Sequence, residues 1–169
     1  MNVVLNASPL IYLGKKRRID ILRIIFEKSI IPPEVEEEIM KIADSPEAIQ
    51  LQEAIKEGWI TVEGASEDQS AQIVMLFPEL DKGEAATIAL AVEQRTEGVV
   101  IDDSEARVAA EYFKLKVYGT LFIILEAFKR RILKSKTEVR SMVDNMLKRG
   151  FYLSTEVYAR FLNLLDKVR

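Results

Sequence analysis

Short apolar runs alternate with helical patterns along the first two thirds of the chain. Each run ends at a turn or a helix-capping signal, which is typical of a short buried strand. Strands that are apolar throughout lie in parallel sheets whose two faces are both covered by helices. The predicted strands are Met1–Leu5, Ser29–Ile31, Trp59–Val62, Gly98–Ile101 and Lys116–Tyr118.

The segments between these strands carry helical periodicity. A helical stretch runs through residues 19–26, and Pro33 and Pro46 suit the first turns of two further helices. The helix that opens at Asp81 is almost entirely apolar, which indicates packing on more than one side. After Gly119 we predict only helices, over residues 120–131, 136–149 and 155–168.

The alternation predicts a three-layer α/β/α domain with a central parallel sheet and extra C-terminal helices. We expect one domain over residues 1–169, with a core of about 1–125 and a helical extension of about 126–169. Ligands of such sheets bind beyond the carboxyl ends of the strands. The first places to look are therefore Asn6, after the first strand, and Asp102 and Asp103, after the fourth.

Composition narrows the possible chemistry. The 169 residues include no His and no Cys, which excludes thiol catalysis, disulfides, Ser-His-Asp triads and the usual Cys/His zinc sites. Any catalysis must therefore depend mainly on carboxylates. No stretch approaches the roughly 20 apolar residues of a membrane span, so we expect a cytoplasmic protein with no membrane partner.

Oxygen-bearing side chains near this edge could share one site. Crowded carboxylates repel one another unless a cation joins them, and Mg²⁺ typically binds one or two carboxylates together with water and phosphate. Such a site suits metal-assisted phosphodiester hydrolysis without His or Cys. The candidates are Asn6 with Ser8, Glu38, Glu84, and Asp102 with Asp103.

Each of these acids also has a purely structural interpretation. Asp81 with Glu84, and Asp102 with Glu105, have the spacing of helix capping boxes. Glu38 lies in an acidic run, which is typical of the solvated face of a helix. The residues alone leave both interpretations open.

Four segments, taken in order, resemble the PIN domain family over about residues 1–125. They are Asn6–Leu10, Ile31–Glu38, Gly83–Ala91 and Val100–Arg107. They are most similar to a prokaryotic PIN-like branch with Ser-Pro-Leu in the first segment and Asp-Asp-x-x-Ala-Arg in the last. Members of this branch are often predicted to be toxin–antitoxin or nucleic-acid-binding proteins.

The resemblance implies a toxin-like, metal-dependent endoribonuclease that acts on single-stranded RNA, with Mg²⁺ or Mn²⁺ as its cofactor. It also implies a homodimer and an antitoxin-like protein partner. The residues that it implies are Asn6, Glu38, Glu84 and Asp103 in catalysis, Asn6, Glu84, Asp102 and Asp103 at the metal, and Ser8 in support.

Asn6 departs from the family pattern, in which the usual residue is Asp. Its amide oxygen can coordinate a metal ion but carries no negative charge, so we expect weaker metal binding. An inactive nucleic-acid-binding or antitoxin-binding module is therefore the alternative function. A phospho-receiver is disfavoured because receivers place their acid pair after the first strand, and dinucleotide binding is disfavoured because no Gly-x-Gly-x-x-Gly follows any strand.

Basic residues are concentrated near the C-terminus. Residues 129–149 contain eight Lys or Arg and two acidic residues, a net charge of eight minus two, or +6. Such a cluster could follow a phosphate backbone, although Lys and Arg near helix ends also complement the helix dipole. We expect Arg107, Lys129, Arg130 and Arg131 to contact nucleic acid, with Arg107 alternatively paired to Asp103.

Overall fold

A computed structural model describes residues 1–168 of the chain. Five strands form one parallel sheet in the order β3-β2-β1-β4-β5, which confirms the predicted central parallel sheet. Each observed strand lies within one residue of its predicted bounds. The strands are β1 (Asn2–Leu5), β2 (Lys28–Ile31), β3 (Ile60–Val62), β4 (Gly98–Val100) and β5 (Lys116–Tyr118).

Helices connect these strands and follow the last of them. The helices in the described residues are α1 (Ala7–Lys15), α2 (Asp20–Ile25), α3 (Pro33–Met40), α4 (Pro46–Lys56), α5 (Glu67–Leu76), α6 (Lys82–Gln94), α7 (Ser104–Tyr112), α8 (Thr120–Lys129), α9 (Lys136–Lys148) and α10 (Thr155–Lys167).

The helices cover both faces of the sheet, as the three-layer α/β/α prediction requires. Crossovers between parallel strands are right-handed. With this strand order, the helices before β3 lie on one face of the sheet and the helices between β3 and β5 lie on the other. The contacts agree, because α1 packs against α3 and α4, whereas α6 packs against α5 and α7. The strand order reverses between β1 and β4, and ligands of such sheets bind at this reversal.

Helix α6 packs against neighbours on several sides, as its composition predicts. It contacts β1 and β4 of the sheet, α5 and α7 on its own face, and α3, which comes from a connection on the other face. Small alanine side chains let it lie close to the sheet, and its only buried polar side chain, Thr87, donates its hydroxyl to the Gly83 carbonyl at 2.7 Å. The buried side of α6 places its first turn against the carboxyl ends of the central strands.

The connection between β1 and β2 differs from the prediction. The predicted helical stretch over residues 19–26 is present as α2, but α1, which begins directly after Asn6, was not predicted. The break lies at Arg17, whose φ of 56° is left-handed and ends the helical repeat. Because α1 starts immediately after the strand, Asn6 is both the end of β1 and the N-cap of a helix.

The chain divides into two compact units, Met1–Thr120 and the residues from Leu121 onward. The first contains the whole sheet and α1 to α7. In the second, α9 and α10 are amphipathic, and Asp166 pairs with Arg140 at 3.3 Å. The expectation of one domain over residues 1–169 stays a prediction. Among the described residues, no helix is both long and apolar enough to cross a membrane.

Candidate functional site

Asn6 lies at the reversal of strand order. Its backbone N–H donates to the Val100 carbonyl at 3.0 Å, which fixes the ends of β1 and β4 side by side. The residue is only 5% exposed, yet its side chain does not cap α1 and has no hydrogen bond to any residue from 1 to 168. A buried amide normally has a hydrogen-bond partner, so this one is available to a ligand or to water.

Gly83, in the first turn of α6, is the point where three side chains meet. A methyl group built on Gly83 would lie 3.4 Å from Glu38 Oε2, 3.5 Å from Asp81 Oδ1 and 3.6 Å from Asn6 Oδ1. The oxygens come from α3, from the loop before α6 and from the end of β1. Three distant segments of the sequence therefore place an amide oxygen and two carboxylates around one small volume, which we call the Gly83 pocket.

Glu38 reaches the Gly83 pocket from α3. The residue as a whole is exposed, but desolvation of its carboxyl end raises its pKa. The Asp81 carboxylate raises the pKa of Glu38 further, and Lys41 lowers it. The two acids are thus close enough to repel each other. They open into a cleft of about 340 Å³ whose lining residues are Glu34, Glu37, Glu38, Lys41, Asp81, Lys82 and Gly83.

Glu84 forms a capping box with Asp81, as the spacing predicts. The Glu84 N–H donates to Asp81 Oδ1 at 2.7 Å, and the Asp81 N–H donates to Glu84 Oε2 at 3.0 Å. Burial raises the pKa of Glu84 to about 7, against the lowering effect of that hydrogen bond. The carboxylates of Asp81, Asp103 and Glu105 contribute to this rise. Glu84 and Asp103 therefore lie within electrostatic reach of each other.

The two acids after β4 have different partners. Asp102 is directed into the protein, where Oδ1 accepts the Thr120 N–H at 2.7 Å and Oδ2 accepts the Thr120 hydroxyl at 2.6 Å. Burial raises the pKa of Asp102, whereas these bonds and Arg107 lower it. Asp103 is exposed and caps α7, because its Oδ1 accepts the N–H groups of Glu105 and Ala106 at 2.9 and 3.0 Å.

Gly119 allows Asp102 to be held in this way. A methyl group on Gly119 would lie 2.9 Å from Arg107 Nη1 and 3.3 Å from Asp102 Oδ1, so a side chain would displace one of them. Arg107 Nη1 also donates to the Ile101 carbonyl at 3.3 Å. The guanidinium of Arg107 therefore lies beside Asp102, which differs from the pairing with Asp103 considered from the sequence.

The remaining predicted residues lie in less constrained places. Ser8 is half-buried in the first turn of α1. Lys129 and Arg130 both pair with Glu126, at 3.9 and 2.9 Å. Arg131 is exposed and has a left-handed φ of 61°. Of these three basic side chains, only Arg131 has no acidic partner in the described part of the chain, so their joint role in nucleic-acid binding stays a prediction.

The predicted metal ligands do not all converge. Within residues 1–168, no group of three or more Asp, Glu, His or Cys side chains is placed to hold a metal ion. Each oxygen of Asp102 already accepts a hydrogen bond from Thr120, and its role as a metal ligand stays a prediction. The two carboxylates and one amide oxygen of the Gly83 pocket do fit a hard divalent cation, which uses one or two carboxylates and completes its shell with water and phosphate.

Sequence reasoning assigned Asp81 only a capping role. It does cap α6, but its carboxylate also faces the same pocket as Asn6 and Glu38. Its place two residues before a buried glycine is the signal that could have identified it, since a helix start without a side chain leaves room for a ligand.

A comparison with protein families matches the PIN domain over residues 2–167, which is nearly the whole chain. No curated protein matches the chain. PIN domains have a nuclease-like fold that is associated with nucleic acids, and they generally use divalent metal ions. With a parallel sheet in the expected order of segments and oxygen ligands gathered at its carboxyl edge, this chain is a member of the PIN domain family.

Proposed function

We propose that the protein is a metal-dependent endoribonuclease that acts on single-stranded RNA. The observation that supports this proposal best is the unpartnered amide of Asn6, which faces Glu38 in the Gly83 pocket at the reversal of strand order. Phosphodiester hydrolysis needs a hard cation and few other groups, and this pocket supplies the oxygen ligands.

The residues proposed for catalysis are Asn6, Glu38, Glu84 and Asp103. Asn6 and Glu38 present oxygens that no residue from 1 to 168 engages by a hydrogen bond. Glu84 uses Oε2 to cap Asp81, which leaves Oε1 for a ligand. A bound Mg²⁺ or Mn²⁺ would polarise the phosphate and activate a water molecule. The free Oε1 of Glu84 is the oxygen proposed to accept a proton from that water molecule.

The partners in this proposal are RNA, a second copy of the chain and, for a toxin-like protein, an antitoxin-like protein. Arg107, Lys129, Arg130 and Arg131 are the proposed RNA contacts. Arg131 is the best supported of these, because it is exposed and lacks an acidic partner within residues 1–168. A cytoplasmic location completes the proposal.

A catalytically inactive nucleic-acid-binding or antitoxin-binding module is the second candidate. Two observations favour it. Asn6 contributes no negative charge, and no group of three acids in residues 1–168 is placed to hold a metal ion. A metal site with few charged ligands binds its ion weakly unless phosphate from the substrate adds charge.

The test is cleavage of a fluorescently labelled single-stranded RNA in the presence of Mn²⁺, Mg²⁺ or EDTA. We expect cleavage that requires the metal and that falls at least about tenfold in Glu38→Gln. Glu79→Gln is the matched control, because Glu79 is an exposed acid in the loop before α6. RNA binding by the wild type without cleavage would support the inactive nucleic-acid-binding module. A wild type that neither binds nor cleaves RNA would refute the nuclease and the nucleic-acid-binding module.

A further inference from the structure

Asp81 is the one carboxylate at the Gly83 pocket that the proposed function does not use. Its Oδ1 lies 3.5 Å from the position of a methyl group on Gly83, and the Asn6 and Glu38 oxygens lie 3.6 and 3.4 Å from that point. The same Oδ1 accepts one N–H, from Glu84. Its Oδ2 has no hydrogen bond to any residue from 1 to 168. A carboxylate has about four acceptor sites, so most of those on Asp81 are free.

The buried amide of Asn6 indicates that this pocket receives a ligand. The residue is only 5% exposed and its side-chain amide has no hydrogen bond in the described part of the chain, so the amide oxygen is available to a ligand or to water. The neighbouring oxygens belong to two carboxylates that repel each other. A cation binds all three oxygens at once. It attracts the two negative charges and is coordinated by a lone pair of the amide oxygen.

Asp102 is less available to a cation than Asp81. Its two oxygens are held at 2.7 and 2.6 Å by the backbone and hydroxyl of Thr120. Asp81 has no comparable restraint on its second oxygen. Of these two acids, Asp81 is therefore the one that can compensate for the neutral Asn6.

We propose that Asp81 is a ligand of the divalent cation in the Gly83 pocket, together with Asn6 Oδ1 and Glu38 Oε2. This inference rests on the proposed function for the presence of a metal ion. The two carboxylates balance the charge of a divalent cation, so the pocket needs no Asp at position 6. Asp81 thus has two roles, because it also caps α6.

A helix cap does not by itself require a carboxylate in this protein. Four other helices are capped by a serine hydroxyl that accepts an N–H three residues later. Replacing Asp81 with Ser or Asn therefore retains a good cap and removes only the charge. The serine caps are Ser45, Ser66, Ser135 and Ser154.

The experiment measures the affinity of the whole chain for Mn²⁺, by titration calorimetry and by the electron paramagnetic resonance signal of free Mn²⁺. Wild type is compared with Asp81→Asn and Asp81→Ser. The matched control is Glu37→Gln, which removes one charge from the same cleft but not from the Gly83 pocket. Thermal unfolding without metal verifies that each variant is folded.

We expect both Asp81 variants to bind Mn²⁺ at least about tenfold more weakly than wild type, and Glu37→Gln to stay within about threefold. If wild type binds Mn²⁺ and the Asp81 variants match Glu37→Gln, Asp81 is only a cap and the inference is wrong while the proposed function stands. If wild type neither binds Mn²⁺ nor cleaves RNA with it, the proposed function fails and the inference fails with it.

Discussion

Replacing Gly83 with Ala separates the stability of the fold from ligand binding at the Gly83 pocket. The added methyl would lie 3.4 to 3.6 Å from three oxygens, which is ordinary van der Waals contact and demands no movement. Gly83 is in the first turn of a helix and does not need a left-handed conformation. Exchanging Gly for Ala inside a helix stabilises it by roughly 0.5–1 kcal/mol. In the absence of metal, Gly83→Ala should therefore be at least as stable as wild type.

The same methyl should impair metal binding. It occupies the volume around which the three oxygens are arranged, and Mg²⁺ needs its oxygen ligands at about 2.0–2.1 Å in a nearly regular octahedron. We expect a loss of affinity of at least about tenfold, which corresponds to about 1.4 kcal/mol. Few substitutions leave the stability of a protein unchanged or higher and also weaken its binding of a metal ion. This combination therefore indicates that the Gly83 pocket binds the ion.

The assay is thermal unfolding with and without Mn²⁺. At a concentration 100 times its Kd, a ligand stabilises the folded protein by about 2.7 kcal/mol. For a chain of this size, that corresponds to a rise in Tm of roughly 5–11 °C. Gly83→Ala should lose most of this rise at the same Mn²⁺ concentration. Gly64→Ala is the control, because a methyl there would approach only Pro33, at 3.9 Å. Equal Mn²⁺ shifts in wild type and Gly83→Ala would refute the pocket.

Three further predictions follow from the same contacts. Asn6→Asp should raise both Mn²⁺ affinity and RNA cleavage, because it adds a charge to the pocket; an intact fold with no gain in either would refute a latent nuclease site. Thr120→Val should lower the free energy of unfolding in urea by about 1–3 kcal/mol relative to Thr120→Ser, because Asp102 loses a hydroxyl partner at 2.6 Å; equal stability of the two variants would contradict this. The pKa of Glu84 is about 7 in the folded chain and about 4.5 in the unfolded chain, so the folded state binds the proton more tightly. The metal-free protein should therefore lose stability as the pH rises from about 4.5 to about 7. Glu84→Gln should flatten this pH dependence in urea unfolding, and an unchanged slope would show that other groups cause it.

The strands were predictable because each contains a short apolar stretch, and those of β1, β2 and β4 are buried on both faces. The apolar runs that end at Leu5 and Ile101 are each followed directly by a polar residue, so the sequence also located the two strand ends that precede Asn6 and Asp102. The capping box of Asp81 and Glu84 was equally visible, because a cap depends on residues three positions apart. Local patterns therefore predicted the scaffold and the neighbourhood of the site.

The directions of the side chains were not predictable. A shift of one residue at a strand end reverses the side chain, and the partner that fixes Asp102 is Thr120, 18 positions away. The meeting of Asn6, Glu38 and Asp81 depends on α3 packing beside α6, a contact that no local pattern specifies. Helix α1 was missed because Asn6-Ala7-Ser8-Pro9 is as typical of a turn as of a helix start.

The pairing of β1 with β4 has a consequence for how the protein is made. These neighbouring strands are separated along the chain by about 100 residues, which translation at about 5–20 residues per second adds in roughly 5–20 s. Until β4 has been synthesised and docked, β1 has no neighbour on that side, and Asn6 lacks the backbone bond to Val100 that fixes its position. A nascent chain therefore carries an incomplete site until β4 has been made, so any nuclease activity starts only after that point.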